Sequence, residues 1–97
     1  MADMMAWPAD RRITVRDLQA ATDRNERWSM LTSYDALTAG VFEQAGVRAL
    51  LVGDTSAEMV LGHPDTLPVT MDEMVSMVAA VVRGTRTALI VADLPFG

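Results

Sequence analysis

The sequence predicts an α/β fold whose strands run parallel and are joined by helical crossovers. Three observations predict it. Residues 49–52 and 88–92 are short runs that are apolar on both alternating faces, the pattern of strands covered on both sides in a parallel sheet. Segments with apolar residues at helical spacing stand between these runs and ahead of them. The resulting order is helix, then strand–helix, strand–helix, strand, and such alternation implies right-handed crossovers between parallel strands.

The elements follow in order. Thr14 is a candidate cap for a first helix, with Asp17 at the positive end of the helix dipole, and the helix runs to about Thr22. Residues 23–27 are polar and read as a loop. Residues 28–32 form the first strand candidate. The next helix starts at Ser33-Tyr34-Asp35, carries Tyr34, Leu37, Val41, Phe42 and Ala45 on one face, and stops at Gly46. Residues 47–53 form the second strand, and residues 55–61 a short helix closed by Gly62-His63-Pro64. Thr70-Met71-Asp72-Glu73 fits a capping box. The helix it opens places Met71, Met74, Val75, Val78, Ala79 and Val82 on one face and ends at Gly84. Residues 87–92 form the third strand. Doubly wound sheets and (β/α)8 barrels both begin this way. The chain stops just past a strand, where a covering helix is due, so a larger parent is expected.

With 97 residues the chain holds at most one small domain, and a core of that size is marginal unless further sequence or partner chains complete it. Hydrophobic residues at 51% and charged residues at 22% describe a globular chain. The apolar runs fall far short of the roughly 18 residues that cross a bilayer. Residues 1–12 are read as a flexible leader, and their arginines follow the apolar residues, the reverse of a secretory signal, so the protein is expected in the cytoplasm. Without cysteine there are no disulfides and no thiolate metal sites. The net charge is −5, and the basic residues are all arginines in no dense stripe, which argues against nucleic acid as a partner. The lack of lysine removes Schiff-base chemistry from this stretch.

In both α/β architectures the active site lies at the carboxyl ends of the strands. Asp54 and Asp93 end consecutive strand candidates, whose backbones would lie about 5 Å apart in a parallel pair. Three readings of the pair stand open. In one, each aspartate caps a following helix; in another, the two together suit a hard divalent cation such as Mg²⁺, which takes one or two carboxylates plus substrate oxygens; in the third, they form a general acid/base pair. His63 reads as a structural loop histidine, Tyr34 as a packing residue at a helix start with reach to the pocket mouth as its other role, and the methionines at 71, 74 and 77 as core and flank of a helix. No phosphate-binding glycine loop occurs.

Four strings occur in order: Met30-Leu31-Thr32-Ser33-Tyr34-Asp35; Leu51-Val52-Gly53-Asp54; Gly62-His63 with Thr66-Leu67-Pro68-Val69-Thr70; and Ala92-Asp93-Leu94-Pro95-Phe96-Gly97. With these the chain resembles the ketopantoate hydroxymethyltransferase family over residues 13–97. The resemblance implies the first three strand–helix units of a (β/α)8 barrel, incomplete in residues 13–97, in a homo-oligomer, commonly a decamer. It implies transfer of a hydroxymethyl group from 5,10-methylenetetrahydrofolate to 3-methyl-2-oxobutanoate, giving 2-dehydropantoate, with one Mg²⁺ per site. Asp54 and Asp93 match the family's metal-binding aspartates, and Thr55 the position that contacts the 2-oxo acid carboxylate. The catalytic base is expected beyond Gly97, so the chain alone is expected to be inactive. Two departures stand out: Asp54-Thr55 where Asp-Ser is usual, and Ser56-Ala57-Glu58 where small or apolar residues are usual, with Glu58 expected to face outward. The rival readings are a 2-oxo acid barrel enzyme of the phosphoenolpyruvate mutase/isocitrate lyase group, which the Thr66–Thr70 string argues against, and a non-catalytic truncated assembly module.

Overall fold

Thr14, Asp35 and Thr70 each stand one residue ahead of a helix, in extended backbone, with a side-chain oxygen that accepts an otherwise orphaned amide N–H. In the computed structural model, which describes residues 7–95, they open α1 (Val15–Asp23), α2 (Ala36–Gln44) and α4 (Met71–Arg83). Thr14 and Thr70 form full capping boxes: the Thr14 N–H donates to Asp17 Oδ2 at 2.7 Å and the Thr70 N–H to Glu73 Oε1 at 2.9 Å. The helix ends are equally specified. Val47 and Gly46 donate to the Phe42 and Glu43 carbonyls, and Glu26 and Asn25 to those of Ala21 and Thr22. Both are Schellman closures, with Gly46 (φ 98°) and Asn25 (φ 61°) in the left-handed region.

Between the helices lie β1 (Met30–Thr32), β2 (Ala49–Val52), the single turn α3 (Ser56–Met59) and β3 (Leu89–Ala92). The strands form one parallel sheet in the order β1-β2-β3, with Met30 opposite Ala49 and Ala49 opposite Leu89. Each strand is shorter than the segment expected for it, although the ladder continues past it: Ser33 N–H donates to the Leu51 carbonyl and Asp93 N–H to that of Val52, both at 3.0 Å. Leu50 and Val52 of β2 join Ala39, Ala57, Val69, Met74, Val81 and Ala88 in the buried core. Coverage on both faces holds for β2 alone. All of β1 is exposed, as are Val91 and Ala92 of β3. These are the two edges of the sheet, and the double-sided apolar pattern of residues 88–92 overstated their cover.

The buried helix faces differ from those that apolar periodicity selects. On α2 the apolar periodicity selected Leu37 and Val41, yet these are 80% and 55% exposed, while Ala39 is fully buried. The reason is close approach. A Cβ on Gly40 would come within 3.1 Å of the Gly84 carbonyl oxygen, so the contact with α4 runs along small residues. On α4, Met74 and Val81 are buried, whereas Met71, Val75 and Val82 are exposed and line an open apolar groove beside Ala92 and Leu94. The apolar stripe of α4 is thus wider than the surface it meets.

Three sets of polar contacts tie distant segments together. In the expected leader, residues 1–6 lie outside the described residues, but Arg12 donates to the Ala88 carbonyl at 2.7 Å, the Thr85 carbonyl at 3.1 Å and Thr85 Oγ1 at 3.0 Å. Trp7 Nε1 donates to Glu26 Oε1 at 2.7 Å, and the guanidinium groups of Arg24 and Arg48 stack against its ring. At the end of α2, the Glu43 carboxylate accepts the backbone N–H groups of Arg86, Thr87 and Ala88 at 2.7–3.0 Å, just ahead of β3.

Partial burial pushes the Glu43 carboxyl up, and the three backbone donors pull it down further, leaving it below the ordinary glutamate range. A carboxyl lowered on folding contributes stability above its unfolded pKa of about 4.3 and loses it as pH falls through the folded value. Glu43→Gln is therefore expected to cost about 1.5–3 kcal/mol at neutral pH, the worth of a hydrogen bond to a charged group. It should also shrink the stability lost between pH 6 and pH 3. Urea denaturation of both proteins across that range checks it.

Candidate functional site

The ends of three neighbouring strands decide what this surface can do. Ser33-Tyr34-Asp35 follows β1, Gly53-Asp54-Thr55 follows β2, and Asp93 follows β3. Because Asp93 stays in the ladder through its N–H bond to Val52, its side chain is carried to the top of β2. There its Oδ2 accepts the Asp54 N–H at 3.2 Å. The β2–α3 turn is tight, with Ser56 and Ala57 donating to the Gly53 and Asp54 carbonyls at 3.1 and 3.0 Å. Ser56 and Ala57 are buried beneath the turn and Glu58 is exposed, facing outward.

Gly53 forms the floor. A Cβ there would lie 3.2 Å from Thr55 Oγ1 and 3.4 Å from Asp93 Oδ2. The two oxygens therefore converge on the small volume that glycine leaves open. Tyr34 reaches across from the β1 side, its hydroxyl 2.5 Å from Thr55 Oγ1. Packing was the expected role of Tyr34; the structure gives it a polar contact with the strand-end cluster. Its position two residues past β1 was the available signal. Asp35 is spent on capping, accepting the Thr38 N–H at 2.7 Å. His63 is half-buried, its N–H bound to the Ala57 carbonyl at 2.8 Å.

The Asp93 carboxylate is thus brought to the Thr55 hydroxyl over Gly53 and to the backbone N–H of Asp54. Among the described residues no group of three or more His, Cys, Asp or Glu side chains is placed to hold a metal. A pair of carboxylates beside a hydroxyl is nevertheless a donor set that fits Mg²⁺, which prefers oxygen and completes its shell with water and substrate. The helix-capping reading of Asp54 and Asp93 is weaker. The cap position of α3 is Thr55, which makes no side-chain cap bond, and Asp93 Oδ2 turns back toward β2.

The family model for ketopantoate hydroxymethyltransferase matches residues 12–97. The chain belongs to this family. Curated 3-methyl-2-oxobutanoate hydroxymethyltransferases are close relatives. That of Thermobifida fusca is 60% identical over 92% of this chain and 32% of its own length, and that of Streptomyces coelicolor 59% identical over 91% and 30%. The chain therefore spans about a third of the length of these relatives. The chain also shares its fold with phosphonopyruvate hydrolase, solved in complex with oxalate and Mg²⁺. The TM-score is 0.66 at 22% identity, covering 78% of this chain and 26% of that one. The family members are hydroxymethyltransferases, and the matched segment contains the whole three-stranded sheet with its strand-end aspartates. No helix among the described residues is long and apolar enough to cross a membrane.

Proposed function

We propose that this segment supplies the metal- and 2-oxo-acid-binding half of an enzyme that transfers a hydroxymethyl group from 5,10-methylenetetrahydrofolate to 3-methyl-2-oxobutanoate, giving 2-dehydropantoate. The observation that carries the proposal is the convergence of Thr55 Oγ1 and Asp93 Oδ2 above Gly53, with the Asp54 N–H bound to Asp93, at the ends of neighbouring parallel strands of a chain from this family. Asp54 and Asp93 would hold Mg²⁺, with Asp93 fixed in direction by the Asp54 N–H. The bound cation would supply Lewis acidity that draws charge from the keto oxygen and acidifies the neighbouring C3–H. Thr55 would orient the substrate by donating its hydroxyl to the carboxylate. The base that takes the C3 proton is assigned to residues after Gly97, so the 97-residue chain alone would be inactive. The full-length protein is assigned a complete (β/α)8 barrel, a homo-oligomeric state, with a decamer as the family's common form, and a cytoplasmic location.

The test is an assay of the full-length protein carrying this segment, or of the segment joined to the remaining two-thirds of the Thermobifida fusca relative. Formation of 2-dehydropantoate that requires the 2-oxo acid, the folate and Mg²⁺ together is the expected result. Turnover of a 2-oxo acid without folate would overturn the proposal and favour the phosphoenolpyruvate mutase-like rival.

A further inference from the structure

We propose that Tyr34 is a positioning residue for Thr55, and that the two hydroxyls form a one-way relay presenting the Thr55 O–H to an anionic ligand head. The inference deepens the proposed function, resting on Thr55 as the contact for the 2-oxo acid carboxylate. Its starting point is what Thr55 does not do. It stands at the cap position of α3, where threonine ordinarily accepts a backbone N–H, and its side chain makes no such bond. The hydroxyl is turned instead to Tyr34, at 2.5 Å. It also faces the space over Gly53 that it shares with Asp93 Oδ2.

The direction of the relay follows from donor arithmetic. Each hydroxyl has one proton to give, and an ionised carboxylate only accepts. Once Thr55 donates to the ligand, its contact with Tyr34 is filled by the tyrosine O–H donating to Thr55 Oγ1. Such a chain polarises each bond in turn and strengthens the last one. Threonine suits the post because its branched Cβ restricts χ1, so one bond to Tyr34 is enough to select the rotamer. The phenol, anchored on the β1–α2 connection, thereby couples β1 to a site otherwise built from the ends of β2 and β3.

Steady-state kinetics of the full-length protein carrying Tyr34→Phe, Thr55→Val and both together test the proposal, with KM for the 2-oxo acid and for the folate read separately. Thr55→Val is expected to raise KM for the 2-oxo acid about tenfold, and Tyr34→Phe about fivefold with kcat within about twofold, the range of one lost hydrogen bond. The double variant should be no worse than Thr55→Val alone, and KM for the folate should not move. Effects that multiply in the double variant, or a Tyr34→Phe protein with unchanged KM beside an impaired Thr55→Val protein, would overturn the relay and leave the reading of Thr55 intact. An unchanged KM in Thr55→Val would instead overturn that reading, and the relay with it. Should Thr55→Val fail to fold, Thr55→Ser keeps the hydroxyl. Tyr34→Phe must still raise KM in that background, and no change there would sink the proposal.

Discussion

Asp93→Asn is expected to lower hydroxymethyl transfer by the full-length protein about a thousandfold while leaving its melting temperature nearly unchanged. The separation of the two effects comes from the geometry. Asp93 Oδ2 accepts the Asp54 N–H, and an asparagine side-chain carbonyl can accept the same bond. The strand ends therefore keep their spacing. What is lost is one negative charge from the proposed cation pair, and the electrostatic help of a catalytic cation is worth several kcal/mol, at about 1.4 kcal/mol per decade of rate. Mg²⁺ titration should show weakened binding in step with the rate. An Asp93→Asn protein that binds Mg²⁺ as tightly as the unmodified one would remove Asp93 from the metal site.

The largest stability effect is expected at Gly84, from Gly84→Ala. Its backbone (φ −79°, ψ −8°) is open to any residue, so the requirement for glycine is purely spatial. An added Cβ would lie 2.3 Å from the Ala36 carbonyl oxygen and 2.7 Å from Ala36 Cα, both backbone atoms that cannot rotate aside. The end of α4 must then lift away from the start of α2. Overpacking of this kind costs about 3 kcal/mol. The damage would travel further, because Ala36 follows directly on Asp35, which caps α2, and Tyr34, which contacts Thr55. Urea denaturation should show an earlier midpoint, and a stability equal to that of the parent would mean that the α2–α4 contact is not tight in solution.

These cases show what was readable from residues alone. Element order, the caps at Thr14 and Thr70 and the placing of Asp54 and Asp93 at strand ends follow from local rules that act over three or four residues. Contacts made by small or charged groups across long separations do not. Ala39, Gly40 and Gly84 carry no strong apolar signal, yet they set the approach of α2 to α4, and periodicity pointed to Leu37 and Val41 instead. Glu43 looks like one more solvated carboxylate on a helix, and nothing nearby in sequence announces the three N–H groups of residues 86–88. Arg12 likewise finds its carbonyl partners more than seventy residues away. The Tyr34–Thr55 contact depends on the parallel register of β1 and β2, which pairs Thr32 with Leu51 and so levels the two loops.

The bare floor at Gly53 has an engineering consequence. Its φ lies outside the left-handed region, so the chain could bear a side chain there without backbone strain. The space, rather than the backbone, limits it. One methyl group would press against Thr55 Oγ1 at 3.2 Å and Asp93 Oδ2 at 3.4 Å, contacts that tenths of an ångström of adjustment relieve. Position 53 is therefore a dial more than a switch: its side-chain volume sets how far apart the hydroxyl and the carboxylate stand, and with them the size of the ligand head the strand ends admit.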